Sequence, residues 1–285
     1  MQKYHDEIMA LKGAEEIKEK IKHLHEFLKD KEPYVLLNSL ADFLLVAKVG
    51  GSITTIVDAI AEYLCVAKAI EFCGKEKWFV FDLPYTHPDD RFEEIEKFDQ
   101  KMNALKGFNR HFKGVVYIRI DRWIGHTEEE YFRKFIAHLA TMDNRILYCF
   151  GMHYDNKKDI NAVYKKISKY IRIETFRLRF PDTDELCEIV TEYIRSKGFV
   201  FAKDKHQILH KIIETIAGHK NFHGYRTLEK LSEDIVYHHF MQNKKQTKNI
   251  TPEILTSYLK DSTFMANMKN NAHAEDETTK IGFSK

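Results

Sequence analysis

The sequence has few of the residues that break regular structure and little excess charge of either sign. Its 285 residues include 5 prolines and 12 glycines, which disfavours a turn-rich β-sandwich and any collagen-like or linker-dominated chain. Lysine and arginine total 45 against 43 acidic residues, so the net charge is only +2. A protein that binds the phosphate backbone of nucleic acid usually has a larger positive charge, and nucleic acid is therefore a disfavoured partner.

Long apolar runs and paired cysteines are also lacking. No run reaches the roughly eighteen apolar residues of a membrane span, and the acidic N-terminal residues do not form a secretory signal, so we expect no membrane partner. The four cysteines, Cys65, Cys73, Cys149 and Cys187, form no C-x-x-C pair. Three of them lie in apolar stretches, where a reduced thiol behaves as a small hydrophobe. These features predict a cytoplasmic protein with free thiols.

Short apolar runs alternate with segments of helical periodicity in the first two thirds of the chain. The runs that we predict as strands cover 42–47, 78–83, 115–120, 145–150 and 173–178. The predicted helices cover 8–29, interrupted by Gly13, and then 54–72, 92–105, 128–139 and 160–167. Strands that alternate with helices indicate an α/β fold, with a five-stranded parallel sheet flanked by helices.

The pattern changes after Pro181, where the predicted strands stop. Asp182 to Glu185 supply the cap and acidic first turn of a helix start. Helices are predicted over 186–197, 205–217 and 227–240, followed by a further short helix and a polar tail. We therefore expect an α/β domain over 1–180, a small helical subdomain over 181–245, and a short helix with a polar tail over 246–285.

A glycine-containing loop joins the first predicted strand to the next helix. Its residues and the start of that helix are Gly50, Gly51, Ser52, Ile53, Thr54 and Thr55. Backbone N–H groups in such a loop, and a helix N-terminus, favour a bound phosphate. The pattern G-x-x-x-x-G-K-[ST] also supplies a lysine for the phosphates and a hydroxyl for a metal. Here Ile53 stands at the lysine position, and an ordinary strand-to-helix turn capped by threonines is the alternative interpretation.

Four further motifs follow one another along the chain. Gly13 to Lys18 is similar to the pattern G-L-x-x-V-K, and Gly114 to Ile118 is similar to G-V-h-F-I. Phe180-Pro181 precedes an acidic helix start, and Phe222 to Leu228 is similar to F-x-N-x-R. As a set over 8–240 they resemble the motifs of AAA+ ATPases, and most closely those of the branch of stage V sporulation protein K and the red-type rubisco activases. In that family the second motif precedes the paired acids, the third begins the lid and the fourth is the second sensor. The resemblance implies a P-loop NTPase-like domain followed by a helical lid.

Three positions that carry essential charge in AAA+ ATPases are changed here. Ile53 offers no cation to phosphates, Arg119 stands at the position of the metal-binding aspartate, and Ile120 at that of the catalytic glutamate. A shift of two residues keeps the faces of the strand and would bring Asp121 to the metal position. The next residue is then Arg122, so the glutamate would still be missing.

The resemblance also implies which residues contact a nucleotide. The expected binding residues are Gly50, Gly51, Ser52, Ile53, Thr54, Thr55 and Arg226, with ATP or ADP as the ligand and Mg²⁺ disfavoured. Arg226 stands at the position of the second-sensor arginine, and a solvated arginine at a helix start is the alternative. We expect no catalytic residue and no metal ligand. Arg119 is expected to pair with a carboxylate, with a metal-free phosphate contact as the alternative.

Three hypotheses for the function follow. The first is a pseudoenzyme, a degenerate AAA+ module that binds nucleotide at most without hydrolysing it. It would act as a scaffold or regulatory subunit in a homo- or hetero-oligomer of AAA+ subunits, with chaperone-like work on an unknown client. Lys169 or Arg172 would then serve a competent neighbour in place of the arginine finger. The alternatives are an active ATP-driven remodeller, with Lys48 on the phosphates and Asp121 on the metal, and a ligand-free protein-interaction domain.

Overall fold

The computed structural model describes residues 1–30, 40–48, 53–70, 78–83, 95–100, 114–142, 146–153, 157–202, 206–219, 222–242 and 247–267. The chain divides into two compact units, Met1–Phe180 and Pro181–Lys285. No helix among the described residues combines the length and the apolar character needed to cross a membrane.

The first unit is built around a parallel sheet of five strands. They are β1 Asp42–Ala47, β2 Trp78–Asp82, β3 Gly114–Arg119, β4 Ile146–His153 and β5 Ile173–Leu178. Their order is β2-β3-β4-β1-β5, and every neighbouring pair is parallel. The predicted five-stranded parallel sheet is confirmed.

Helices cover both faces of this sheet. They are α1 Gln2–Ala10, α2 Glu15–Asp30, α3 Ile53–Val66, α4 Glu130–Ala140 and α5 Lys157–Ile167, with residues 95–100 also helical and a 3-10 turn at Asp121–Trp123. Phe43 and Leu45 of β1 pack on the face covered by α1, α2 and α3. Leu44 and Val46 pack on the face covered by α4 and α5. Because both faces are buried, β1 is apolar at every position after Asp42.

The helix predicted over 8–29 is divided at Gly13, which has a φ of +75°. The oxygen of Gly13 accepts the backbone N–H of Arg179 at 2.8 Å, just beyond the end of β5. Glu16 accepts the N–H of Arg177, within β5, through Oε2 at 2.7 Å. The start of α2 therefore satisfies two N–H groups of an edge strand, which would otherwise be open to pairing with another chain.

The second unit is mostly helical, with one short pair of strands within its described residues. Its elements are α6 Thr183–Ser196, β6 Val200–Phe201, α7 His206–Ala217, α8 Tyr225–Gln242, β7 Asn249–Ile250 and α9 Pro252–Asp261, and residues 263–267 are also helical. The prediction that strands stop after Pro181 is wrong, because β6 and β7 pair in parallel. The N–H of Val200 donates to the oxygen of Lys248, and the N–H of Ala202 to the oxygen of Ile250, both at 2.9 Å.

Candidate functional site

The carboxyl ends of β1, β4 and β3 lie side by side in the first unit. Ala47 is the register partner of His153, and Arg119 is the partner of Gly151. The N–H of Ile120 continues the ladder by donating to the oxygen of Gly151 at 3.0 Å. Ligands of open parallel sheets bind outside this edge, so the residues that follow these strands define the candidate site.

The residues on the β1 side of the site are only partly described. Gly50, Gly51 and Ser52 lie outside the described residues. Ile53 is the first residue of α3 and is 1% exposed, with its side chain in the core shared with α1 and α2. Thr54 is exposed, Thr55 is half-buried, and Lys48 is exposed directly after β1. Ile53 is therefore a core residue, and Lys48 is an exposed cation directly after the end of β1.

Arg119, the last residue of β3, has a carboxylate partner on the neighbouring strand. Its Nη2 lies 3.2 Å from Oδ2 of Asp82, its register partner at the end of β2. Both side chains are close to half exposed. The expected pairing of Arg119 is confirmed. The next residue, Ile120, is fully buried in the core beneath α4.

Asp121 begins the turn after β3 and is held against the end of β4. Its Oδ1 accepts the backbone N–H of His153 at 2.6 Å and lies 3.1 Å from Nδ1 of the same residue. Partial burial acts to raise the pKa of Asp121, but the hydrogen bonds from His153 outweigh it, and the pKa lies below its ordinary value. An ionised carboxylate therefore lies at the edge of the sheet at neutral pH.

These residues do not by themselves form a magnesium site. In the part of the chain that the structure describes, no three His, Cys, Asp or Glu side chains are grouped to hold a metal ion. One oxygen of Asp121 is already engaged by His153, and the charge of Arg119 opposes that of a metal. Mg²⁺ prefers several oxygen ligands in octahedral geometry, which this set does not provide.

The remaining predicted residues are on the surface. Arg226 is the second residue of α8 and is exposed. The start of that helix is capped by Thr227, whose Oγ1 accepts the N–H of His223 at 2.8 Å. Lys169 and Arg172 are both exposed and precede β5. Whether any of them contacts a nucleotide stays a prediction.

Sequence reasoning had not found two partners in this site. Asp82 lies inside the strand predicted over 78–83, and His153 follows the strand predicted over 145–150. Both interactions depend on the strand order, which places β2 and β4 on either side of β3. In the sequence, the signal for these two partners was the polar residue that ends each strand, Asp82 in β2 and His153 in β4.

Solved structures with a similar fold exist. A variant of RuvB from Thermotoga maritima is 14% identical and covers 87% of this chain and 69% of its own, with a TM-score of 0.55. A second RuvB variant from the same organism is 12% identical and covers 80% of this chain and 67% of its own, with a TM-score of 0.49. The AAA domain of FIGL-1 is 12% identical and covers 84% of this chain and 77% of its own, with a TM-score of 0.46.

The sequence itself matches no protein-family model and no curated protein. At such low identity a structural likeness shows the fold alone. The first RuvB likeness extends over most of this chain and agrees with the five-stranded parallel sheet and the helical C-terminal part. The chain therefore has a fold similar to that of the first RuvB structure over most of its length.

Proposed function

We propose that this protein is a degenerate AAA+ module that has lost ATP hydrolysis and acts as a scaffold or regulatory subunit in an AAA+ assembly. The observation that carries the proposal is the end of β3. Arg119 is engaged by Asp82 and Ile120 is fully buried, at the two positions where the resemblance expects acids. Phosphoryl transfer depends on charges placed around the phosphates and metal, so these changes remove chemistry and leave the fold intact.

In this proposal ATP or ADP binds without Mg²⁺. The loop residues Gly50, Gly51 and Ser52 and the start of α3 would offer backbone N–H groups to the phosphates. The exposed Lys48 would supply a positive charge, and Arg226 is proposed as a further contact of the nucleotide. The partners would be other AAA+ subunits, in a homo- or hetero-oligomer in the cytoplasm, with Lys169 or Arg172 offered to a competent neighbour.

Calorimetric titration of the purified chain tests the proposal, using ATP and ADP with Mg²⁺ and with a chelator. We expect the same affinity in both conditions and no release of phosphate. Binding that requires Mg²⁺, with hydrolysis that is lost in Asp121→Asn and kept in the exposed control Glu19→Gln, would overturn it. Absence of heat and of any thermal shift with either nucleotide in either condition would favour a ligand-free protein-interaction domain.

A second candidate, an active ATP-driven remodeller, is favoured by one observation. Asp121 remains an ionised carboxylate at the sheet edge, and both contacts with His153 are made by its Oδ1 and not by its Oδ2. That oxygen would be available to a metal brought by the nucleotide. In this case Lys48→Ala and Asp121→Asn should each abolish turnover, while Lys22→Ala on the exposed side of α2 should not.

A further inference from the structure

The four most exposed large apolar side chains in the described part of the chain all belong to the second unit. They are Met241 at 69% exposure, Tyr237 at 63%, Phe240 at 50% and Val200 at 47%. We call these four residues the apolar patch. Single exposed apolar residues are ordinary, but a group of them on a folded protein marks a surface that is covered by something else.

The apolar patch is built on regular structure. Tyr237, Phe240 and Met241 are spaced three and four residues apart, so they share one side of α8. The ring of Phe240 meets the ring of Phe199 edge to face, with centroids 5.2 Å apart. The next residue, Val200, is held in β6 by its hydrogen bond to Lys248. A patch placed in this way loses little conformational entropy when a partner covers it.

The segments that carry the apolar patch are basic. No acidic residue occurs between Glu192 and Asp204 or between Asp234 and Glu253. The cations in these two intervals are Arg195, Lys197, Lys203, Lys244, Lys245 and Lys248. The pairing of β6 with β7 places Val200 beside Lys248, which is exposed. Glu233, which also belongs to α8, is paired with Lys197, whose Nζ lies 3.0 Å from Oε1 of Glu233.

The shape of the surface favours a protein over a membrane. The opposite side of α8, with Leu231 and Ile235, is buried in the second unit, so the helix cannot lie with a long apolar face in a lipid surface. It also disfavours single-stranded nucleic acid, because Met241 and Val200 offer no ring for base stacking and the Phe240 ring packs edge to face on Phe199. Tyrosine, phenylalanine and methionine are the residue types enriched at protein interfaces.

We propose that the apolar patch binds an acidic segment of a partner protein that carries apolar side chains on one face. The apolar side chains of the segment would cover Tyr237, Phe240 and Met241, while its carboxylates would face Lys248 beside Val200. Charge complementarity of this kind gives specificity and speeds association. The proposal goes beyond the proposed function, since it uses no residue of the nucleotide site and applies whether or not nucleotide binds.

The test measures fluorescence anisotropy of a labelled synthetic helical peptide added to the full chain. The peptide has leucine at helical spacing on one face and glutamate elsewhere, and its counterpart has lysine in place of glutamate. We expect the glutamate peptide to bind at least about tenfold more tightly than the lysine peptide, and binding to weaken as salt is raised. The double variant Tyr237→Ser, Met241→Ser and the charge variant Lys248→Glu should each weaken it by about tenfold or more.

The matched control is Tyr164→Ser with Tyr170→Ser, which removes exposed apolar surface from the first unit and should leave binding unchanged. Circular dichroism would verify that each variant is folded. Equal binding of both peptides, no binding at about 1 mM peptide, or binding unaffected by the double variant would overturn the proposal. So would selective capture of phosphatidylserine vesicles or of a thymidine oligonucleotide, or self-association lost in the double variant, each of which assigns the surface to another occupant.

Discussion

At the scale of single residues, Asp42 should make stability depend on pH. It is the first residue of β1, and its Oδ1 accepts the N–H of Tyr148 at 2.7 Å. Burial raises the pKa of Asp42 from 3.8 to about 7, although the hydrogen bond from Tyr148 opposes the shift. Between pH 3.8 and about pH 7, Asp42 is therefore protonated in the folded chain and ionised in the unfolded chain. Its stabilising effect is full below about pH 4 and is lost as the pH rises to about 7.

Asp42→Asn keeps an acceptor oxygen for Tyr148 and removes the ionisation. Relative to the parent, the variant should gain on the order of 3 kcal/mol in free energy of unfolding between about pH 4 and about pH 8. Urea unfolding at a series of pH values measures this gain, with the exposed Glu19→Gln as the control. A difference between variant and parent that stays constant with pH would show that Asp42 does not titrate in this way.

Gly13 allows a close approach of two backbone segments that no other residue permits. A Cβ built there would lie 2.0 Å from the oxygen of Arg179, and the φ of +75° is itself strained for other residues. Gly125 has a similar φ of +83° with nothing within 4 Å of its Cβ position. Gly125→Ala should therefore cost about 1 kcal/mol, from the φ alone.

Gly13→Ala should cost at least about 2 kcal/mol more than Gly125→Ala, because the backbone of Arg179 must also move. Chemical denaturation of the two variants measures the difference directly. Equal losses of stability in the two variants would mean that the backbone contact between Gly13 and Arg179 adapts to the added carbon.

At the scale of elements, Asp121 joins the turn after β3 to the end of β4. Asp121→Ala leaves the N–H of His153 without its acceptor, so we expect a loss of about 1–3 kcal/mol. His153→Ala keeps that backbone bond and should cost less. Because the pKa of Asp121 is lowered, its contribution is present above about pH 4 and is lost in more acidic solution. Thermal denaturation at neutral and acidic pH distinguishes this result from one in which both variants cost the same.

The elements also show what the sequence could and could not predict. Strands Asp42–Ala47 and Ile173–Leu178 have the predicted bounds, because their apolar residues coincide with burial in the sheet. The pair β6 and β7 was missed, since two residues are too few to show a period. The strand order is set by packing of the whole unit, so Asp82 and His153 could not be paired with Arg119 and Asp121 from spacing alone.

At the scale of the whole molecule, each unit has a core of its own. In the first unit the core lies on both faces of the sheet, and Ile60 of α3 is 1% exposed within it. In the second unit Leu255 of α9 is fully buried. There the hydroxyls of Tyr258 and Ser262 donate to Oδ2 of Asp234 at 2.8 and 3.1 Å and tie α9 to α8.

Two units with separate cores should respond separately to a cavity. Leu255→Ala removes buried methyl groups and should cost about 2–5 kcal/mol in the second unit. Amide hydrogen exchange followed by mass spectrometry should then show faster exchange in α6 to α9 with β1 and β4 unchanged. Ile60→Ala should give the reverse pattern, which makes it the matched control. Faster exchange of both units in both variants would show instead that the chain unfolds as one cooperative body.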